Sequence, residues 1–176
     1  DVTNVELNIS VKVFGYPFKK PILRNGAILG DSIFITGQLG KAKQGLNDWL
    51  NKKDSIYCED FLRPKPQFQK AKELSDFATS CIDISDGLIK DLGDICKQSN
   101  LGAELCYEDI PILNDHKDLT HGDDYELCFT APGHLDDQLK SQGFFLIGKI
   151  IQKLGLSVKK GGSEISVEKN GWDPFE

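Results

Sequence analysis

One short segment limits the possible folds of this chain more than any other: a strand that leads through an acidic loop into an amphipathic helix. Residues 80–84 predict the strand, and the loop that follows ends at Gly87. Beyond it, apolar side chains recur at helical spacing in one stripe made of Leu88, Ile89, Leu92, Ile95 and Cys96. The segment therefore predicts a helix that ends near residues 99–100.

The other hydrophobic periodicities mix strands and helices without a regular alternation. Further strands are predicted at residues 5–13, 32–36, 103–107, 125–129 and 144–150, with short strands joined by turns after residue 155. Further helices are predicted at residues 41–52, 68–78 and 134–142, whereas the charged, proline-containing residues 53–66 predict a loop. This irregular order favours an α+β layered domain over a doubly wound parallel sheet.

Composition disfavours several classes of function. Of the 176 residues, 39% are hydrophobic and 27% are charged, which is typical of a single globular domain. The formal net charge of −6 disfavours nucleic acid as a partner, because an acidic surface repels phosphate backbones. The longest purely apolar run, residues 144–147, is far shorter than the ~20 residues of a membrane span, so we expect no membrane association.

The cysteine and methionine contents bear on the cellular compartment and on completeness. The five cysteines include no C-x-x-C pair, which indicates free thiols in a reducing cytosol, and we therefore expect a cytoplasmic protein. The sequence contains no methionine, although composition alone would give about four, and it begins with Asp1. We expect that it is a fragment or lacks some residues of the natural protein, so a site could be only partly present.

The loop after residue 82 carries the first candidate functional residues. Ser85 or Asp86 could cap the first turn of the following helix, which is a purely structural interpretation. Asp83 is harder to explain in this way, because it lies between two isoleucines at a strand end, where an unpaired carboxylate is costly. Two carboxylates three residues apart, at the positive end of a helix, suit a metal–phosphate complex.

A second acidic loop precedes the strand predicted at residues 125–129. The adjacent side chains of Asp123 and Asp124 repel each other unless a cation, a hydrogen-bond donor or water screens them. The structural alternative is an ordinary polar turn before a strand. Two acidic loops in one small domain favour a site that collects divalent cations.

Residues 37–41 read G-Q-L-G-K and invite comparison with a phosphate-binding loop. Only two residues separate the glycines, and Ala42 follows Lys41 where a Walker loop needs Ser or Thr. The segment therefore predicts a plain connection from a strand to a helix. The three histidines also form no H-E-x-x-H or comparable ligand pair.

Five blocks, in the same order along the chain, resemble the C-terminal half of the thiamine-monophosphate kinases, a family of ATP-using proteins similar to aminoimidazole-ribonucleotide synthetase. The blocks are residues 23–31, 35–46, 82–88, 122–127 and 171–175. The I-D-I-S-D-G-L and G-D-D-Y-E-L blocks are together specific to this family. The resemblance implies the fold of the C-terminal domain of that group, an α+β layered domain with a mixed sheet covered by helices.

The resemblance implies ATP-dependent phosphorylation of thiamine monophosphate to thiamine diphosphate, with Mg²⁺ as the metal. It implies no catalytic side chain beyond those that position the metal and the substrates. Seven positions match functional residues of the family: as metal ligands Asp1, Asp83 and Asp86; as ATP contacts Arg24 and Ser85; as substrate contacts Asp123 and Trp172.

The resemblance also implies a domain organisation. Residues 1–176 would be the single C-terminal domain of a two-domain kinase, and the N-terminal domain, with its dimer interface, would be absent from this chain. We therefore expect a homodimer formed through the missing domain, and no activity of this chain alone. His121 and Pro174 depart from residues frequent in the family, and the stretch between Pro111 and Gly122 is shorter than usual.

Two other functions stay open. The chain could belong to another ATP-using member of the same superfamily, but the G-D-D-Y-E-L block and Trp172 favour the kinase. It could also be a non-catalytic module that binds Mg²⁺ or a nucleotide. The sequence upstream of Asp1 would distinguish these, because acidic metal-binding motifs there would indicate a kinase.

Overall fold

The computed structural model describes residues 10–17 and 19–167, and within them seven strands form one sheet. The strands are β1 Ser32–Ile35, β2 Ser80–Asp83, β3 Gly102–Cys106, β4 Leu127–Ala131, β5 Phe145–Ile151, β6 Gly155–Lys160 and β7 Ser163–Ile165. Their order across the sheet is β2-β4-β1-β5-β3-β6-β7. Neighbouring strands are antiparallel except for β3 and β6, which are parallel, so the predicted mixed sheet is confirmed.

The helices of the described residues agree with the sequence pattern in all but one case. They are α1 Lys41–Leu50, α2 Tyr57–Leu62, α3 Phe68–Leu74, α4 Leu88–Ser99 and α5 Asp136–Ser141. Helix α2 lies inside residues 53–66, so the prediction of a loop there is wrong. At six residues it is too short to show a helical period. It forms through packing on α1, where the rings of Trp49 and Phe61 lie 6.4 Å apart.

The sheet separates two apolar clusters. On one face, Ile33 and Ile35 of β1 pack in the same cluster as the predicted stripe of α4, whose Leu88, Leu92 and Ile95 are fully buried. On the other face, a second cluster with α3 and α5 contains Phe34, Leu74, Phe129, Leu139 and Phe144. Strand β1 is therefore buried on both faces, and the domain is layered as expected from the order of its elements.

The aromatic side chains of the second cluster pack against one another. The rings of Phe34 and Phe129 stack with centroids 5.3 Å apart, and Phe144 meets Phe129 edge to face at 5.2 Å. Both arrangements are favoured for aromatic pairs. The cluster holds β4 firmly, and β4 follows directly on the second acidic loop.

The first predicted strand is not confirmed. Residues 5–9 lie outside the described residues, and residues 10–13 form no strand, with Val11 and Val13 exposed. Alternation of apolar residues shows only what a segment could bury, and a strand also needs a neighbour for its backbone hydrogen bonds. No strand of residues 10–17 and 19–167 pairs with this segment.

The cysteine thiols and the lengths of the helices bear on the environment of the protein. All five cysteines are free, as their spacing predicts. Among the described residues, no helix combines the length and the apolar character that a membrane crossing requires.

Candidate active site

The first acidic loop connects β2 to α4. Strand β2 ends at Asp83, and its alternation sends Ile82 and Ile84 into the core while Asp83 points to the other side and is half-buried. Ser85 and Asp86 are also half-buried. The predicted cost of a carboxylate between two isoleucines therefore does not arise, because the three side chains lie on different faces of the strand.

The N-terminus of α4 is not capped by Ser85 or Asp86, so that structural interpretation is wrong. The N-cap position is occupied by Gly87, which has no side chain that could bond to the first turn. Instead Oδ2 of Asp91 accepts the backbone N–H groups of Ser85 and Asp86 at 3.0 Å and that of Gly87 at 3.1 Å. A helical side chain points back toward the N-terminus of its helix, which allows this contact.

Asp91 is almost completely buried, at 3% exposure. Burial raises the pKa of its carboxyl to about 6 and the charge of Asp86 raises it as well, whereas the three N–H donors lower it. Sequence reasoning missed this residue. The available signal was an acidic side chain in the first turn of a predicted helix, which complements the helix dipole.

The second acidic loop has an unusual backbone. Asp123 and Tyr125 have φ values of 67° and 49°, in a backbone region that residues other than glycine seldom adopt. This conformation delays the start of β4 to Leu127, two residues later than the alternation predicts. Strain of this kind persists only where surrounding contacts enforce it, and it is concentrated at functional sites.

Asp124 supplies one of those contacts. Its carboxylate accepts the backbone N–H groups of Gly40 at 2.8 Å and Ala42 at 3.2 Å, at the N-terminus of α1. The predicted repulsion between Asp123 and Asp124 is therefore relieved for Asp124 by hydrogen-bond donors. Burial raises the pKa of Asp124 to about 6 against the effect of these two donors.

The prediction that residues 37–41 connect a strand to a helix is confirmed, and this connection packs against the carboxylates of Asp124 and Glu126. Gly40, with φ 93°, opens α1 beside Asp124. The hydroxyl of Thr36 donates to Glu126 at 2.6 Å, and a side chain at position 37 would collide with the same carboxylate. A Cβ at position 37 would therefore displace the carboxylate of Glu126 from its place beside Thr36.

Backbone hydrogen bonds join the two acidic loops. The N–H groups of Asp123 and Tyr125 donate to the carbonyl oxygens of Ser85 and Ile84, both at 2.9 Å, and the N–H of Ile84 donates to Glu126 at 2.7 Å. A Cβ at position 122 would collide with the Ser85 carbonyl, so the glycine there permits the close approach. The structure thus brings together two loops that are separated by about forty residues of sequence.

Tyr125 contacts both loops, the first through its backbone N–H and the second through its phenol. Its hydroxyl donates to Asp123 at 3.4 Å. Partial burial raises the pKa of Tyr125, and the charges of Asp123, Asp83 and Asp86 raise it further. The charges of three predicted site carboxylates therefore act on one hydroxyl group.

Arg24 lies on a cavity that also reaches the first acidic loop. The cavity has a volume of about 540 Å³, which is within the usual range for small-molecule sites. It lies between Pro17, residues 19–24, α3 and β2, and its lining includes Lys19, Lys20, Arg24, Cys81 and Asp83. The predicted ATP contact Arg24 and the predicted metal ligand Asp83 thus share one cavity.

The described residues fit Mg²⁺ only in part. No group of three or more His, Cys, Asp or Glu side chains in residues 10–17 and 19–167 is placed to hold a metal ion. Asp83 and Asp86 offer carboxylate oxygens, and Mg²⁺ is commonly held by one or two carboxylates together with substrate phosphates and water. The donor set therefore suits a metal that arrives with a phosphate. The predicted residues Asp1 and Trp172 lie outside the described residues.

Comparison with known proteins agrees with the motifs. No family model matches the chain. The thiamine-monophosphate kinase of Escherichia coli K12 is 35% identical over 201 aligned residues, which cover 99% of this chain and 62% of the relative. The enzyme of Haemophilus influenzae is also 35% identical, over 88% of this chain and 55% of the relative. Over nearly its whole length, this chain is therefore similar to thiamine-monophosphate kinases.

The match to thiamine-monophosphate kinases extends over part of their length only. The chain spans about three fifths of the Escherichia coli relative. The alignment is longer than the 176 residues of this chain, so the relative carries additional residues within the matched region.

Solved structures confirm the fold. AaThiL, in a complex with AMPPCP and TMP, has a TM-score of 0.72 at 29% identity, over 86% of this chain and 53% of that one. The thiamine-monophosphate kinase of Stenotrophomonas maltophilia K279a gives 0.70 at 31% identity, over 81% and 54%. Escherichia coli HypE gives 0.68 at only 14% identity and shares the fold alone. The fold is that of the proteins similar to aminoimidazole-ribonucleotide synthetase, as predicted.

Proposed function

We propose that the natural protein phosphorylates thiamine monophosphate to thiamine diphosphate with ATP, and that this chain supplies the C-terminal half of the site. The observation that carries the proposal is the joining of the two acidic loops, through the hydrogen bonds of Asp123 and Tyr125 to the first loop. The similarity of the chain to thiamine-monophosphate kinases supports the same reaction. So does AaThiL, which binds AMPPCP and TMP together.

The reaction requires little of the protein in acid–base chemistry. The phosphate of a monoester is already largely ionised at neutral pH, because its second pKa is ~6. The acceptor oxygen therefore needs no strong general base. Transfer between two anions needs neutralisation of charge and in-line positioning. A site made of carboxylates, without a catalytic His or Cys, matches those needs.

Each residue has a proposed role in binding or orientation. Asp83 and Asp86 would hold Mg²⁺, with Asp1 as a further ligand. Bound there, Mg²⁺ would act as a Lewis acid and a template for the phosphates. The remaining contacts would be Arg24 and Ser85 to ATP, and Asp123 and Trp172 to thiamine monophosphate.

Two wider features belong to the same proposal. The free thiols and the absence of a disulfide among all five cysteines support a cytoplasmic location. We also propose that the natural protein is a homodimer formed through an N-terminal domain, as the resemblance to thiamine-monophosphate kinases implies.

An assay of the full-length natural protein tests the proposal. Incubated with ATP, Mg²⁺ and thiamine monophosphate, it should form thiamine diphosphate and ADP in equal amounts, and both products should disappear when the metal is chelated. Formation of ADP without thiamine diphosphate would favour another ATP-using member of the superfamily. Binding of Mg²⁺ or ATP without any turnover would favour a non-catalytic module.

A further inference from the structure

We infer that Asp91 is the positioning residue of the first acidic loop, and that its carboxylate occupies the place where the loop could otherwise bind a phosphate through its backbone. The inference rests on the proposed function for the role of the loop, but its geometry stands alone. Three consecutive N–H groups, those of Ser85, Asp86 and Gly87, converge on one oxygen of Asp91.

Successive N–H groups that converge in this way form a concavity that binds anions. Together with the N-terminus of α4, residues 85–87 would be an ordinary seat for a phosphate. Here the protein's own buried carboxylate takes that position. The loop therefore presents the side chains of Ser85 and Asp86 to a ligand, and phosphates must be bound through those side chains or through a metal.

The N–H groups and the carbonyl oxygens of the loop have separate partners. The N–H groups of residues 85–87 go to Asp91, whereas the carbonyl oxygens of Ile84 and Ser85 go to the second acidic loop. Loss of Asp91 would leave three buried or half-buried donors without an acceptor, which is costly. The bonds to the second loop cannot replace it, because they use only carbonyl oxygens and the N–H of Ile84.

Other features of the loop make it dependent on this anchor. Gly87 has a φ of 116°, and a side chain at that position would collide with the backbone of Thr120. The side chain of Asp86 pairs with Lys90 and makes no cap for the helix. The orientation of Asp86 and Ser85 is therefore set by where their N–H groups point, which Asp91 decides.

The test uses the full-length natural protein with Asp91→Asn, Asp91→Ala and the control Asp94→Asn. Asp94 is a half-buried acid on the same helix, so the control removes the same charge three residues away. Three quantities are measured: hydrogen exchange of the amides of residues 85–87, binding of Mg²⁺ alone by calorimetry, and the Mg²⁺ concentration for half-maximal turnover.

We expect Asp91→Asn to keep the fold, to exchange faster at residues 85–87 and to need ~10–100-fold more Mg²⁺, which is usual for residues that orient metal ligands. Asp91→Ala should show larger effects, and Asp94→Asn should resemble the wild type. The inference is overturned if Asp91→Asn leaves exchange and the Mg²⁺ requirement unchanged, if it unfolds the protein, or if Asp94→Asn has the same effects. A wild type that makes no thiamine diphosphate would refute the proposed function, while exchange and Mg²⁺ binding would still decide the role of Asp91.

Discussion

Each acidic loop is associated with a carboxylate that accepts backbone N–H groups, but the two loops differ in how far apart the partners are in the sequence. In each, exposed or half-buried carboxylates adjoin a further carboxylate that accepts backbone N–H groups. The carboxylate that accepts the N–H groups of the first loop is that of Asp91, which lies in α4, directly after this loop. That of the second loop, Asp124, binds the N-terminus of α1, more than eighty residues earlier. The first loop is thus held by local structure, and the second depends on the tertiary fold.

The loops also differ in how their backbones turn. The first uses Gly87, for which a positive φ costs little. The second places Asp123 and Tyr125 at positive φ, at a cost of about 1–3 kcal/mol each. The comparison indicates that the second loop keeps its shape only while its contacts to α1 and to the first loop persist.

The largest expected effect concerns the two loops taken together. If they form only part of a site, the polypeptide of residues 1–176 should have no measurable kinase activity beside the full-length natural protein. Absence of further metal ligands would remove several kcal/mol of transition-state stabilisation, and each ~1.4 kcal/mol is a factor of ten in rate. Turnover of thiamine monophosphate and ATP by both proteins is the measurement. Comparable rates would contradict the proposed division of the site.

A second prediction separates the roles of the loops. In the full-length protein, Asp83→Asn should lower turnover by about 100-fold or more and raise the Mg²⁺ requirement, because it removes a proposed metal ligand. Asp123→Asn should raise KM for thiamine monophosphate and leave the Mg²⁺ requirement unchanged. Steady-state kinetics at several Mg²⁺ concentrations distinguish them. A fully active Asp83→Asn variant, or one whose only defect is a lower melting temperature, would contradict the role of Asp83.

A third prediction concerns pH and the anchor of the second loop. The folded pKa of Asp124 is about 6, above the ordinary 3.8, so the unfolded chain ionises first as the pH rises. Stability from this group is therefore greatest below pH 4, falls as the pH rises to about 6, and is constant above. The loss is about 3 kcal/mol at ~1.4 kcal/mol per pKa unit.

Urea denaturation of the wild type and Asp124→Asn at about pH 4.5 and about pH 7.5, roughly 1.5 units on either side of the folded pKa, measures most of this loss. The asparagine cannot ionise, so the wild type should lose stability relative to the variant as the pH rises. The pKa of Asp91 is also raised, but Asp91 is present in both proteins, so its contribution to the pH dependence of stability cancels in the comparison. A stability difference that is independent of pH would contradict the prediction.

The smallest expected effect concerns Trp172, which lies outside the described residues. If its indole stacks on the cationic ring of thiamine, the interaction contributes ~0.5–2 kcal/mol, or up to roughly thirtyfold in affinity. Trp172→Ala should therefore raise KM for thiamine monophosphate much more than KM for ATP, and Trp172→Phe should keep part of the binding. An equal effect on both substrates, or unfolding, would favour a purely structural role at the C-terminus.

The elements that could be predicted from the sequence are those in which apolar residues recur at a regular spacing. The stripe of α4 and the apolar residues of β1 and β5 were read correctly, because burial against a sheet imposes a regular spacing on the chain. The two acidic blocks are also visible in the sequence, and with them the resemblance to thiamine-monophosphate kinases. These features depend on neighbours within a few residues, so a single sequence contains them.

The partners of individual carboxylates, in contrast, depend on the tertiary structure. Asp123 and Asp124 are adjacent and chemically identical, yet one meets Tyr125 and the other the N-terminus of α1. Helix α2 and the unpaired segment at residues 10–13 were mispredicted for the same reason. In each case the outcome depends on a partner distant in the chain, and the spacing of residues within a segment carries no information about that partner.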